Sequence, residues 1–183
     1  MTFTKSLIAA AVFAMTSSMA LAANPMVGGA PMFADKNIVE NAVNSADHTT
    51  LVAAVQAAGL VEVLQSEGPF TVFAPVNAAF EALPEGTVET LLKPENKDML
   101  VKILTAHVVP GNWSAAQIAS AARNSDDGFY HFAAVSGDAL SAQVRGSNLY
   151  IYDESGNASM VTIGDVNQSN GVIHVVNKVL LPK

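Results

Sequence analysis

Gly68-Pro-Phe-Thr-Val-Phe-Ala-Pro-Val-Asn-Ala-Ala-Phe80 is the stretch that decides how this chain folds. Between the breakers Gly68-Pro69 and Pro75 lies Phe70-Thr-Val-Phe-Ala74, which is short, β-branched, aromatic and uncharged. Such a run reads as a buried strand. Asn77 then stands where a helix over Ala78 to Leu83 needs an acceptor for its first free amides. Two further segments belong with it. Gly171-Val-Ile-His-Val-Val-Asn-Lys-Val-Leu-Leu-Pro182 is another apolar, strand-like run ending in a breaker. Ala106-His-Val-Val-Pro-Gly111 closes a helical stretch with a Pro-Gly turn.

Working outward, helical spacing recurs at Ile38, Val39, Ala42 and Val43, and again at Leu51, Val52, Val55 and Ala58 before Gly59. Asp47 or Thr49 is placed to cap the second of these helices, and Gly59 suits a left-handed stop. Further helix is expected over Val88 to Leu92 and Pro94 to Thr105, where Met99, Leu100, Ile103 and Leu104 form one stripe, and from Ser114 to Ala122. After Arg123 the pattern changes to strands at Phe129–Val135, Ala139–Val144, Leu149–Tyr152, Met160–Ile163 and Val172–Leu181, separated by glycine-containing breaks. Early helices and late strands, with one early strand, predict a single α+β domain over 37–183.

The ordered triplet of motifs resembles the fasciclin domain family, whose first signature, central tyrosine-histidine element and second signature have these sequences in this order. Leu91-Leu-Lys-Pro-Glu-Asn-Lys97 is similar to the family's lead-in to its central helix. The resemblance covers residues 37–182 and implies a fasciclin-like fold, a β-wedge with a bundle of short helices. It also implies extracellular adhesion. The chain departs from the family pattern at two positions associated with binding. Val76 replaces the usual threonine before Asn77, and Ala106 replaces the tyrosine before His107.

Composition limits the remaining possibilities. Half of the 183 residues are hydrophobic and 14% are charged, which favours a packed globule. Lys5, the apolar run Leu7–Met15 and the small-residue site Ala20-Leu21-Ala22 read as a signal peptide over 1–22. A flexible Gly/Pro/Met-rich arm over 23–36 is expected next. The implied location is periplasmic or secreted. No second apolar stretch of spanning length follows, so stable membrane insertion is not expected. Lys5 is the one charged residue before Ala23, so its removal takes the formal net charge from −7 to −8. That balance disfavours nucleic acid and anionic lipid as partners. With no cysteine, disulfides, thiol catalysis and thiolate metal sites are excluded.

The four histidines, His48, His107, His131 and His174, are not spaced for chelation from one element, so no metal and no cofactor is expected. His174, within Val172-Ile-His-Val-Val176, reads as a structural, buried neutral imidazole needing partners at both nitrogens. His107 reads as a core histidine fixing the turn into Pro110-Gly111. The resemblance also makes it a binding candidate with its aliphatic flank Ile103, Leu104, Val108 and Val109. Asn77 is a helix cap that the resemblance links to adhesion. Trp113, the sole tryptophan, is either a partner anchor or packed under the following helix. Tyr150 and Tyr152 share one strand face and form a candidate sugar- or protein-contact patch.

No nucleophile elbow or acid/base constellation is present, so an enzyme is not expected. The expected role is a secreted, non-enzymatic adhesion or surface-interaction module, a monomer or weak homo-oligomer that binds cell-surface or matrix protein or polysaccharide. The alternative is a periplasmic or secreted protein that binds a small apolar ligand in a cleft between helices and sheet.

Overall fold

The computed structural model describes residues 24–183, so the signal-peptide reading of 1–22 lies outside the described residues. A short hairpin, β1 (Met26–Val27) and β2 (Ala30–Pro31), precedes three helices, α1 (Ile38–Ala42), α2 (Thr49–Ala58) and α3 (Val61–Gln65). Strand β3 (Phe70–Pro75) leads into α4 (Asn77–Glu81), α5 (Thr87–Leu91) and α6 (Lys97–Ala106), and then β4 (Val108–Pro110). Helix α7 (Ala115–Arg123) is followed by β5 (Phe129–Ala133), β6 (Ala139–Arg145), β7 (Asn148–Tyr152), β8 (Ala158–Gln168) and β9 (Gly171–Val176). Seven of the strands form one sheet in the order β4-β3-β9-β8-β7-β6-β5.

The two apolar motifs meet as adjacent interior strands near one edge of the sheet. β3 and β9 pair in parallel from Phe70 opposite Gly171 to Pro75 opposite Val176. Parallel strands of this kind are covered on both faces, and here they are. Val72, Ala74, Ile173 and Val175 pack into a core with Leu51, Val55, Leu64, Leu100 and Leu104 of the helical layer. Phe73 and Val176 belong to a second core with Ile118 of α7 and Leu140, Ala142 and Ile151 of β6 and β7. The result is an α+β wedge of sheet with short helices bundled on one side and α7 on the other.

Local signals act as their chemistry dictates. Gly59 ends α2 with φ of 74°, a conformation that costs a residue without Cβ nothing. Asn37 and Ser114 form capping boxes at α1 and α7. No helix among the described residues is long and apolar enough to cross a membrane.

Three expectations require correction, the first being the strand expected over Val172–Leu181, which ends at Val176 in β9. In the segment 23–36, expected as a flexible arm, the described residues from 24 on instead contain the β1–β2 hairpin and bury Val27 and Met32 in the main core. Its turn is Gly28-Gly29, with φ of 57° and 77°. Two consecutive positive-φ residues are what a tight hairpin demands, and the flanking apolar side chains fix which face lies inward. The strand expected at Met160–Ile163 runs from Ala158 to Gln168, because bulges carry it through a polar stretch.

The β8–β9 turn is tied to the helices by one side chain. The Asn170 carboxamide oxygen accepts from the Ile38 amide at 3.0 Å, and its nitrogen donates to the carbonyls of Leu64 at 2.7 Å and Ser66 at 2.9 Å. Asn170→Ala leaves those groups short of partners, and each buried unsatisfied group costs about 1–3 kcal/mol. Urea unfolding of Asn170→Ala is expected to show a stability loss above about 2 kcal/mol. A loss near zero would show that water replaces the side chain.

Candidate functional site

Three of the four histidines are interior. His107 sits at the end of α6 and is 2% exposed. Its Nδ1–H donates to the Ile103 carbonyl at 2.8 Å, and Nε2 accepts from the Leu180 amide at 2.8 Å. Burial pushes its pKa down to about 4 against smaller opposing effects of the Ile103 carbonyl and Asp153. His174, on β9, donates from Nε2 to the Trp113 carbonyl at 2.8 Å and accepts the Asp165 amide at Nδ1 at 3.2 Å. Its pKa is lowered too, chiefly by burial. His48, before α2, bonds through Nδ1 to Ser45 Oγ at 2.8 Å, and burial lowers its pKa as well. Among the described residues, no group of three or more His, Asp or Glu side chains is arranged to hold a metal ion.

The residues marked by the family resemblance are also interior. Ile103, Leu104, Val108 and Val109 are 7%, 4%, 6% and 3% exposed, so with His107 they hold α6 and β4 against the cores and offer no side-chain surface to a partner. Asn77 is half-buried, and the expectation that it caps its own helix is wrong. The cap position of α4 is Val76, which makes no side-chain cap. Asn77 Oδ1 instead accepts from the Thr50 amide at 3.0 Å and the Thr49 hydroxyl at 3.2 Å, while Nδ2 donates to the Ala46 carbonyl at 2.9 Å. It therefore caps α2 from across the fold. The cap position of α2 is His48, not the expected Asp47 or Thr49, and it supplies no side-chain cap of its own.

Trp113 is 36% exposed, donates from Nε1 to the Pro110 carbonyl at 3.1 Å and packs against Tyr130 with ring centroids 5.8 Å apart. Tyr130 points to the inner face of β5, so Trp113 is not joined to Tyr150 and Tyr152.

The outer face of β5–β7 is where half-buried aromatic residues gather. Register places Gln143 opposite both Phe129 and Tyr150, and Ser141 opposite both His131 and Tyr152. The inward positions, Leu140, Ala142, Leu149 and Ile151, belong to the second core. On the solvent side the Arg145 guanidinium lies over Tyr150 at 5.7 Å and Tyr152 at 5.3 Å. Phe129 meets Tyr152 edge-on at 5.5 Å and stacks with His131 at 6.1 Å. Gln143 Oε1 accepts from Arg145 Nε at 2.7 Å and the Tyr152 hydroxyl at 3.1 Å. At the edge, Asp127 bonds to His131 Nε2 at 2.8 Å, and that bond is the main reason its pKa is lowered to about 2. The patch combines flat rings, a fixed cation and oriented hydrogen-bonding groups. Sequence reasoning identifies Tyr150 and Tyr152 and misses Phe129, His131, Gln143 and Arg145. The missed signal is the same period-two spacing on the neighbouring strands.

Comparison with known proteins agrees with this architecture. The Fasciclin domain family profile matches residues 46–182. The chain belongs to the fasciclin domain family. Relatives include protein sll1483 of a Synechocystis strain, 52% identical over 79% of this chain and 73% of its own length, and immunogenic protein MPB70 of Mycobacterium bovis, 34% identical over 77% and 66%. Transforming growth factor-beta-induced protein ig-h3 of Sus scrofa is 37% identical over 72% of this chain, but that match spans only 17% of the pig protein. A solved FAS1 domain pair from the insect cell adhesion molecule fasciclin I superposes with a TM-score of 0.71, covering 80% of this chain and 51% of that one at 16% identity. At that identity the likeness shows the fold. Fasciclin domains are in general adhesion-related, non-enzymatic modules.

A histidine whose folded pKa is depressed contributes stability that is complete above its unfolded value near 6.5 and is lost as pH falls toward the folded value. Stability measured by urea unfolding is therefore expected to fall from pH 6.5 toward pH 4. His107→Gln is expected to flatten that slope by up to about 1.4 kcal/mol per pH unit. An unchanged slope would show that His107 does not take up the proton on unfolding. Asn77→Ala is expected to cost about 1–2 kcal/mol and to speed amide exchange at the start of α2, not α4. Faster exchange confined to α4 would restore the local cap.

Proposed function

We propose that the protein is an exported, non-enzymatic adhesion module that holds a cell-surface or matrix protein or polysaccharide against the outer face of β5–β7. The observation that carries this reading is the stack of Arg145 over Tyr150 and Tyr152, continued by Phe129. These rings lie half-buried on the solvent side while the inward residues of the same strands build the core, so the core does not require aromatic residues there. Tyrosine and arginine are enriched among residues that dominate binding energy. Gln143 and Arg145 restrain the rings before contact, which lowers the ordering cost of association.

Export rests on the signal-like residues 1–22. Weak contacts at such a face become effective under multiple presentation. The acidic chain places one fixed cation, Arg145, in the middle of the rings, which suits hydroxyl-rich or carboxylate-bearing partners.

The test is capture by immobilised signal-free protein of envelope and matrix fractions from the producing cells. Tyr150→Ser combined with Tyr152→Ser is expected to reduce capture at least about 10-fold while leaving the unfolding midpoint nearly unchanged. Protease or periodate treatment of the fraction then separates a protein partner from a polysaccharide. Equal capture by the wild type and the double variant would overturn the assignment of this face.

A further inference from the structure

Between the helical layer and the β3–β9 ladder the interior is not filled. A cavity with about 80 Å³ of space open to the centre of a water-sized sphere lies there. Its walls are almost entirely carbon, including Val55, Leu64, Phe70, Val72, Leu104 and Ile173. A single water needs roughly 10–15 Å³ by that measure and two to four polar partners. The volume would admit several waters, but the walls supply almost no partners. His107 lines the space with both nitrogens already bonded. Water is therefore a poor occupant, and an apolar molecule is a good one.

One polar atom among the lining residues is unspent. His48 is 3% exposed, lines the cavity and uses Nδ1 on Ser45 Oγ. Its Nε2 is the buried side-chain nitrogen or oxygen that has no hydrogen-bond partner among the described residues. The Ala74 carbonyl lies near enough to favour the ring's protonation, yet no bond of proper geometry reaches Nε2. A buried polar atom of this kind requires an explanation. With Nδ1 shared with a hydroxyl that rotates freely, Nε2 is a donor in one tautomer and an acceptor in the other. A hydroxyl group satisfies either state.

We infer that this cavity is a binding site for a small, apolar alcohol, its hydrocarbon held between helices and sheet and its hydroxyl bonded to His48 Nε2. Entry has a visible route. Val63 and Val135 line the cavity yet are 48% and 47% exposed, so the space approaches solvent beside them. Val27 and Met32 line it from the β1–β2 hairpin, which is a cover made of two-residue strands. That cover is pinned to the body by the Ala46 amide donating to the Gly28 carbonyl at 3.1 Å. Two-stranded hairpins are marginal on their own, so displacing this one exposes the cavity without breaking the sheet. The site is separate from the outer face of β5–β7, and either assignment stands if the other fails.

The test uses methyl-detected NMR of the signal-free protein titrated with primary alcohols from 1-butanol to 1-octanol, and with n-pentane as the isostere of 1-butanol. Shifts are expected at the methyls of Val55, Leu64, Val72 and Ile173, with affinity rising with chain length until the space is full. 1-Butanol is expected to bind at least about 5-fold tighter than n-pentane, and His48→Phe to abolish that preference. Val55→Phe fills the cavity and is expected to remove binding of both probes; Ala42→Leu is the second filling variant if the first does not fold. Absence of shifts at the cavity methyls, binding undiminished in a folded filling variant, or an alcohol preference that survives His48→Phe would each overturn the inference.

Discussion

The parallel ladder between β3 and β9 is the constraint on which the rest of the domain depends. Joining Phe70–Pro75 to Gly171–Val176 closes a long loop, and the entropy of that closure must be offset by burial. Both strands are therefore buried on both faces and need two layers to cover them. One layer is the bundle from α1 to α6, and the other is α7 with the inner face of β5–β7. The two interior histidines at the ladder act as cross-ties. His174 links β9 to the backbone entering α7 through Trp113, and His107 links the end of α6 to the chain leaving β9 through Leu180. Thr71 adds a third tie, donating to the Gly111 carbonyl at 2.7 Å and accepting the Trp113 amide at 2.9 Å.

This arrangement separates what certifies the fold from what meets a partner. The central motif residues and the apolar runs of the two flanking motifs are consumed by the ladder and its covering. Ile103, Leu104, His107, Val108 and Val109 lie inside for that reason, and the tyrosine position is filled by Ala106 at 1% exposure. The aromatic cluster on the solvent side of the sheet comes from the less distinctive strands after Arg123. There one face is satisfied by the second core and the other faces solvent, as in any antiparallel sheet covered on one side.

The legible parts of the fold were those driven by local patterning. The apolar strands, the Gly59 stop, the Ser114 cap and the α+β class all follow from spacing and composition. The illegible parts depend on contacts distant in sequence. Asn77 looks like a cap for the helix it begins, but its acceptor serves α2, whose start is remote in the chain. The polar residues 164–168 do not read as strand, yet β8 continues through them. A bulge puts Asp165 at φ of 57°, where its Oδ1 accepts from the Ala115 amide at 2.7 Å and its own amide reaches His174. Gly28-Gly29 could be recognised as a turn, but Val27 and Met32 reveal its role only once the core they enter is known. For the candidate site, the pairing of Tyr150 with Tyr152 follows from period two. Arg145, Gln143 and Phe129 join them only through register with neighbouring strands.

The central claim is that partners meet the outer face of β5–β7 and not the buried motif. Amide hydrogen exchange of the signal-free protein, compared with and without a captured envelope or matrix partner, tests it most directly. Slowed exchange is predicted in segments 127–131, 141–145 and 148–152, with 103–109 unchanged. Protection centred on 103–109, with the outer strands unaffected, would contradict the account.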